Sequence, residues 1–304
     1  MKHYSVLLNE SIEGLNINKS GIYIDATLGY GGHSSEILKR IPNGKLYAFD
    51  QDIEAINYSK ERLSKINNNF TLIHSNFVNM KEELEKRGIT QVDGIVFDLG
   101  LSSPQIDTAS RGFSFQNDAD LDMRMNQEQE LDAKKVVNSY SYEELINIFF
   151  NYGEESLSKQ VAKKILDNRP INTTLELVET IKSAVGNKYF NTKHPERKIF
   201  QAIRIEVNKE LSTLQSVLPD AINLLKKGGR ISVITFHSLE DRIVKQLFKK
   251  YSEVDDIVKG LPVIPDNYKP LIKLVNKKPI LPSSKEIDEN SRSKSAKLRI
   301  IERI

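Results

Sequence analysis

Between residues 21 and 98, short β-prone apolar runs alternate with amphipathic stretches of helical spacing, the pattern of a parallel sheet with crossover helices. The spacing predicts strands over Ile22–Ala26, Lys45–Asp50, Phe70–His74 and Gly94–Asp98, and helices over His33–Arg40, Ile53–Lys65 and Val78–Arg87. Each helix carries one charged face, read as solvated surface. Past Leu99 the alternation stops in a polar segment, Leu101 to Gln127, too long for an ordinary connection and therefore functional or mobile, with function preferred. A helix-rich block follows, from Asp132 through Leu145, Ser156 to Asp167 and Thr174 to Val185, with Thr173 or Thr174 as cap. The α/β pattern resumes with a helix from about Glu196 to Leu225, a break at Gly228-Gly229, a strand over Ile231–Phe236 and a helix over Leu239–Tyr251. Leu271–Val275 and Leu298–Ile301 suit an antiparallel sheet edge. The expected fold class is α/β: a Rossmann-like core of mostly parallel sheet with helices on both faces, formed by 1–106 and 194–304, with an inserted all-α domain over 107–193.

Composition narrows the function classes. The 304 residues are 39% hydrophobic and 28% charged, enough for a large core, and 44 basic against 41 acidic residues leave a net of +3, too small to argue for a nucleic-acid partner. The absence of cysteine removes disulfides, thiolate metal sites and cysteine nucleophiles, and no metal site is expected. No apolar run approaches the roughly 20 residues needed to span a bilayer. The opening lacks a secretory core, so a cytoplasmic protein without membrane attachment is expected.

The strongest local signal is Tyr23-Ile-Asp-Ala-Thr-Leu-Gly-Tyr-Gly-Gly-His33, a strand running into a glycine-rich turn that opens a helix. Glycines there let the backbone approach a ligand. A dinucleotide fingerprint would need a third glycine where Ser34 stands, and no G-K-[ST] follows to make a P-loop. Asp50 ends the second strand 18 residues beyond Gly32, where an acid can accept both hydroxyls of a ribose. Phe77 could lie against an adenine or belong to the core. Asp98 falls at the carboxyl edge of the sheet, with Ser102-Ser103-Pro104-Gln105 following.

Together with His3 to Glu10, Asp98 to Gln105, Arg111 to Phe115, Leu121 to Met125, Phe236 to Val244 and Ser295 to Arg299, these segments resemble the bacterial 16S rRNA (cytosine1402-N4)-methyltransferases over nearly the whole chain. The DLGLSSPQ, RGFSF and LDMRM runs carry that resemblance; the glycine turn is common to many class I methyltransferases. It implies S-adenosylmethionine as cofactor, bound by Gly31, Gly32, His33, Asp50, Phe77, Asp98 and Gln105, and methyl transfer to a cytosine N4 of 16S rRNA within the small ribosomal subunit. Ser102 and Ser103 are candidates for the acceptors that orient the amino group, although Ser103-Pro104-Gln105 matches only the beginning of the [DNS]-P-P-[YFW] segment of many amino-methyltransferases. Asp98 would orient the methionine part of the cofactor, and His237 is a further pocket candidate. Arg111, Phe113, Phe115 and Arg124 suit an entrance for an extruded base, or else anchor the insertion and pair with nearby aspartates. Lys193, His194, Arg197 and Lys198, and Arg292, Lys294, Lys297 and Arg299, could meet phosphates. The competing readings are a methyltransferase with another acceptor, an assembly factor without catalysis, and a nicotinamide oxidoreductase; a homodimer is left open.

Overall fold

The computed structural model describes residues 5–258 and 260–304. His3 and Tyr4, which begin the first motif run, lie outside them. The chain divides into two compact units, Met1–Gly100 with Leu211–Ile304, and Leu101–Glu210.

The first unit begins with α1 (Leu8–Gly14), β1 (Ile22–Asp25), α2 (Gly32–Arg40), β2 (Lys45–Asp50), α3 (Ile53–Ser64), β3 (Phe70–His74), α4 (Met80–Glu85) and β4 (Val92–Asp98). The second unit holds α5 (Ser103–Asp107), α6 (Ala133–Ser139), α7 (Tyr142–Asn151), α8 (Ser158–Asp167), α9 (Thr174–Val185), α10 (Asn187–Lys193) and α11 (Pro195–Asn208). The chain then returns to the first unit through α12 (Glu210–Leu224), β5 (Leu225–Thr235), α13 (Ser238–Ser252), β6 (Ile272–Leu274), α14 (Ser284–Glu289) and β7 (Lys297–Arg303).

The seven strands form one sheet in the order β3-β2-β1-β4-β5-β7-β6. β1 to β5 run parallel, and β7 lies antiparallel to both β5 and β6. Alternate side chains of β4 go to opposite faces: Ile95 and Phe97 join Leu218, Val244 and Phe248, while Val96 joins Ile37, Leu38 and Leu63. Both faces are therefore covered by helices, as a parallel sheet requires. Strand order reverses between β1 and β4, and the crevice beyond their carboxyl ends is where open α/β sheets take ligands.

Two elements depart from the sequence expectation. The Gly228-Gly229 break is a bulge inside β5 rather than its boundary: Leu225 pairs with Val92, Arg230 pairs with Gly94, and Gly228 takes up the excess chain at φ +82. The single helix expected from about Glu196 to Leu225 is two, divided at Lys209, which holds φ +51.

In the second unit, Phe149, Val161, Ile165, Leu177, Ile181, Ile199 and Ile203 form a separate helical core. Two of its helices, α7 and α9, start at capping boxes, Ser141 with Glu144 and Thr173 with Glu176. Because the apolar stripe of α11 packs into this core, the compact unit extends to Glu210 rather than ending at residue 193, and it begins at Leu101 rather than at 107. Among the described residues no helix is long and apolar enough to cross a membrane.

Candidate cofactor site

The first unit gathers its acids at the carboxyl ends of β1, β2 and β4. Between β1 and α2 the chain turns through Gly29 at φ +49 and Gly31 at φ +74, and at position 31 a Cβ would also press within 3.1 Å of Ser59 Oγ. From α3, Ser59 Oγ donates to the Gly29 carbonyl at 2.8 Å and the Arg62 guanidinium donates to the Tyr30 carbonyl at 2.9 Å, which fixes the turn. The Asp98 N–H donates to Thr27 Oγ1 at 2.6 Å, tying the end of β4 to the segment after β1.

Asp50 accepts the Gly29 N–H on Oδ2 at 2.8 Å and the Asp52 N–H on Oδ1 at 2.9 Å. An ionised carboxylate has about four lone-pair positions, so each oxygen of Asp50 retains one for a hydroxyl. Desolvation pushes this carboxyl up to about 6, against the lowering pull of those two N–H groups. Asp25, which the sequence analysis passed over within its own motif, is 0% exposed, accepts the Ser34 hydroxyl at 2.7 Å and is likewise raised by burial to about 6. Asp98 is raised well above the ordinary carboxylate range by burial first and then by the charges of Asp25, Glu240 and Glu286. His33, buried on the first turn of α2, places Nδ1 3.5 Å from Asp98 Oδ2, while Asp98 Oδ1 is buried with no hydrogen-bond partner among the described residues.

A crevice with mutually repelling carboxyls, one of them with an unsatisfied oxygen, is suited to a cationic ligand. S-adenosylmethionine carries a sulfonium and an ammonium beside a ribose with two free hydroxyls, and the donor set fits it: the spare lone pairs of Asp50 suit the ribose, and the orphaned oxygen of Asp98 suits the positive methionine end. Phe77, half-buried in the turn after β3, packs edge-on against Phe97 with ring centroids 5.7 Å apart, so it belongs in part to the core. His237 caps α13, with Nε2 3.2 Å from Glu240 Oε1, and Glu240 Oε2 accepts the Phe236 N–H at 2.8 Å. The imidazole lies at the strand–helix junction, with both ring nitrogens buried and without a hydrogen-bond partner among the described residues.

The other expected site residues lie in the second unit and are engaged within it. Ser102 caps α5, its N–H donating to Gln105 Oε1 at 3.1 Å, and Ser103 is the first residue of that helix. The Ser-Ser-Pro-Gln run is thus a capping box, which occupies Gln105 locally. Arg111 is 3% exposed and donates to the carbonyls of Arg124 at 3.0 Å and Met125 at 3.1 Å. Phe113 is buried in the helical core, and Phe115 meets Phe200 edge-on at 5.8 Å with the Arg197 guanidinium 5.9 Å from its centroid. Arg124 forms a bidentate pair with Asp122, at 3.0 and 2.7 Å. Of these, the Arg124–Asp122 pair is the contact the alternative reading expected; Arg111 meets carbonyls instead, and the two phenylalanines pack within the second unit's own core.

The strand order, the glycine turn and the acids at three strand ends define a Rossmann-like enzyme of the class I methyltransferase type. The chain belongs to the MraW methylase family, whose profile matches residues 1–304, the family of the 16S rRNA (cytosine1402-N4)-methyltransferases. It is an S-adenosylmethionine-dependent rRNA methyltransferase. Among solved structures it is similar to an rRNA methylase from Streptococcus thermophilus, at 14% identity over 100% of this chain and 99% of that one, with a TM-score of 0.43. A protein from Streptococcus mutans solved in complex with S-adenosylhomocysteine matches at 14% identity over the full length of both chains, with a TM-score of 0.46.

Proposed function

We propose that this protein methylates the N4 amino group of cytosine 1402 in 16S rRNA, acting in the cytoplasm on the small ribosomal subunit. The observation that carries the reading is the family match across both units, residues 1–304, so that the helical unit as well as the cofactor core belongs to the pattern. When bound, S-adenosylmethionine supplies a methyl group already activated by its sulfonium. The chain's task is then placement, exclusion of water and electrostatics.

Asp50 holds the ribose and Asp98 the cationic methionine end, and the turn through Gly31, Gly32 and His33 brings backbone close to the cofactor. A cytosine amino nitrogen is a weak nucleophile because its lone pair is delocalised into the ring. Acceptors aimed at its two hydrogens favour the attacking geometry and the positive charge that develops on N4. Ser102 and Ser103, through hydroxyl or carbonyl oxygen, are our candidates. Held by Asp50 and Asp98, the cofactor would supply its methyl group to N4 and keep the sulfur electron pair, and the surplus proton of the amino group would pass to water. Exposed basic groups of α10 and α11, Lys193 and Arg197, are suited to phosphates of the surrounding RNA.

The test is mass-spectrometric mapping of 16S rRNA from a strain lacking this protein, before and after incubation of its small subunits with enzyme and cofactor. N4-methylcytidine appearing at position 1402 is the expected result. Methyl appearing on another nucleotide would replace the assigned target, and no transfer despite proven cofactor binding would favour another acceptor.

A further inference from the structure

Beside the glycine turn, the segments around residues 5–10 and 283–290 enclose a cavity of about 320 Å³, with Ser5, Glu10, Gly32, Arg62, Lys285 and Glu286 among its lining. Ser5 lies so close to Gly32 that a Cβ at position 32 would collide with its hydroxyl. Two residues on, Leu7 is 0% exposed yet holds φ +49, a conformation leucine adopts only under constraint. Its carbonyl accepts the Ser11 N–H at 2.9 Å to start α1. Its own N–H donates to Glu286 Oε1 at 2.7 Å, joining positions 279 residues apart.

Glu286 is an electrostatically costly choice for this place. Burial, and then the charge of Glu10, raise its carboxyl, and its own charge adds to the repulsion on Asp98. An apolar side chain would avoid both penalties but could not accept the Leu7 N–H, and that bond is what secures the strained residue.

We propose that Glu286 is a positioning residue: by holding the Leu7 N–H it fixes the Ser5–Glu10 segment as a wall against the glycine turn, and thereby retains bound cofactor. This rests on the cofactor assignment and not on which base is methylated. Leu7 packs with Val6, Ile234, Leu298 and Ile300, and the Glu286 bond adds a polar tie two residues from Ser5, which lies against Gly32.

The experiment compares wild type, Glu286→Ala and Glu286→Gln for S-adenosylhomocysteine release by stopped flow and for amide exchange peptide by peptide, with and without that ligand. The glutamine keeps an oxygen acceptor and removes the charge. Glu286→Ala should release the ligand and weaken its Kd by about tenfold, the scale of one charge-assisted bond. Exchange should rise over residues 5–10 while β1, β2 and β4 stay protected, and Glu286→Gln should lie within about twofold of wild type. Wild-type release by Glu286→Ala, equal defects in both variants, or exchange rising equally across the sheet would each overturn the proposal. Failure of the wild type to bind would instead overturn the cofactor assignment, and exchange at residues 5–10 without ligand would still decide whether the pin exists.

Discussion

Buried carboxyls behave in opposite ways in the two units. In the first, Asp25 and Asp50 are raised to about 6 and Asp98 further, and among the described residues no lysine or arginine pairs with any of them. In the second, Glu155 is, like Asp25, 0% exposed, but its Oε1 accepts the Tyr189 hydroxyl at 2.6 Å and the Leu157 N–H at 2.9 Å, and Lys198 lies 3.3 Å from Oε2. Burial works to raise Glu155, and these partners outweigh it and hold the carboxyl below its ordinary range. A paired buried acid supports a fold; a cluster of unpaired ones at a sheet's carboxyl edge is a seat for a positive ligand.

The contrast is broken most easily at Asp98. Asp98→Ala should lose about a hundredfold in S-adenosylmethionine affinity, equivalent to ~3 kcal/mol, without lowering the thermal midpoint of the free protein, as calorimetric titration and melting curves would register. Glu155→Ala should do the reverse. It removes the carboxylate shared by the Tyr189 hydroxyl, the Leu157 N–H and Lys198, destabilising the helical unit by about 2 kcal/mol in denaturant unfolding, with cofactor affinity unchanged.

A smaller effect tests the sign. A carboxyl whose folded value is raised opposes folding when ionised, so the penalty of Asp25 is present above about 6 and disappears as pH falls through that value toward 3.8. Asp25→Asn should therefore stabilise the free protein by about 1 kcal/mol at neutral pH, with the gain gone in mild acid. Glu155→Gln should be destabilising at neutral pH, because a lowered carboxyl contributes stability above its unfolded value and loses it as pH falls through the folded one. Two stabilising substitutions, or two destabilising ones, would erase the distinction. The smallest expected change is at Arg197, whose replacement by alanine removes an exposed cation over Phe115 worth about 0.5 kcal/mol. If Arg197 also meets phosphate, the salt slope of rRNA binding should fall by about 1.

The sequence makes the core legible because its signals are local. β2 and β3 occupy the expected Lys45–Asp50 and Phe70–His74, and α9 begins and ends at Thr174 and Val185 behind a Thr173 cap. Asp50 and Asp98 are identifiable because expected strand ends position them; Asp25 is not, because the expected strand runs on to Ala26 and leaves it inside the run, whereas β1 ends at Asp25. Less legible were features decided by distant partners. Lys209 breaks a helical pattern without glycine or proline, and Asn208 beside it is buried where its amide donates to the Met123 carbonyl and its oxygen accepts the Met125 N–H, both at 2.8 Å. Arg111 and Arg124 are equally ambiguous in sequence, since phosphates and backbone carbonyls attract the same group; only the fold shows which acceptors are at hand.

The most direct test is calorimetric titration of S-adenosylmethionine into wild type and Asp98→Asn at mildly acidic pH, repeated in two buffers of different ionisation enthalpy to count protons. The wild type should release protons on binding, because a cationic ligand draws the raised acids into their ionised form, and Asp98→Asn should bind far more weakly and release fewer. Wild-type affinity and equal proton release in Asp98→Asn would contradict the assignment of these acids as the seat of the cofactor.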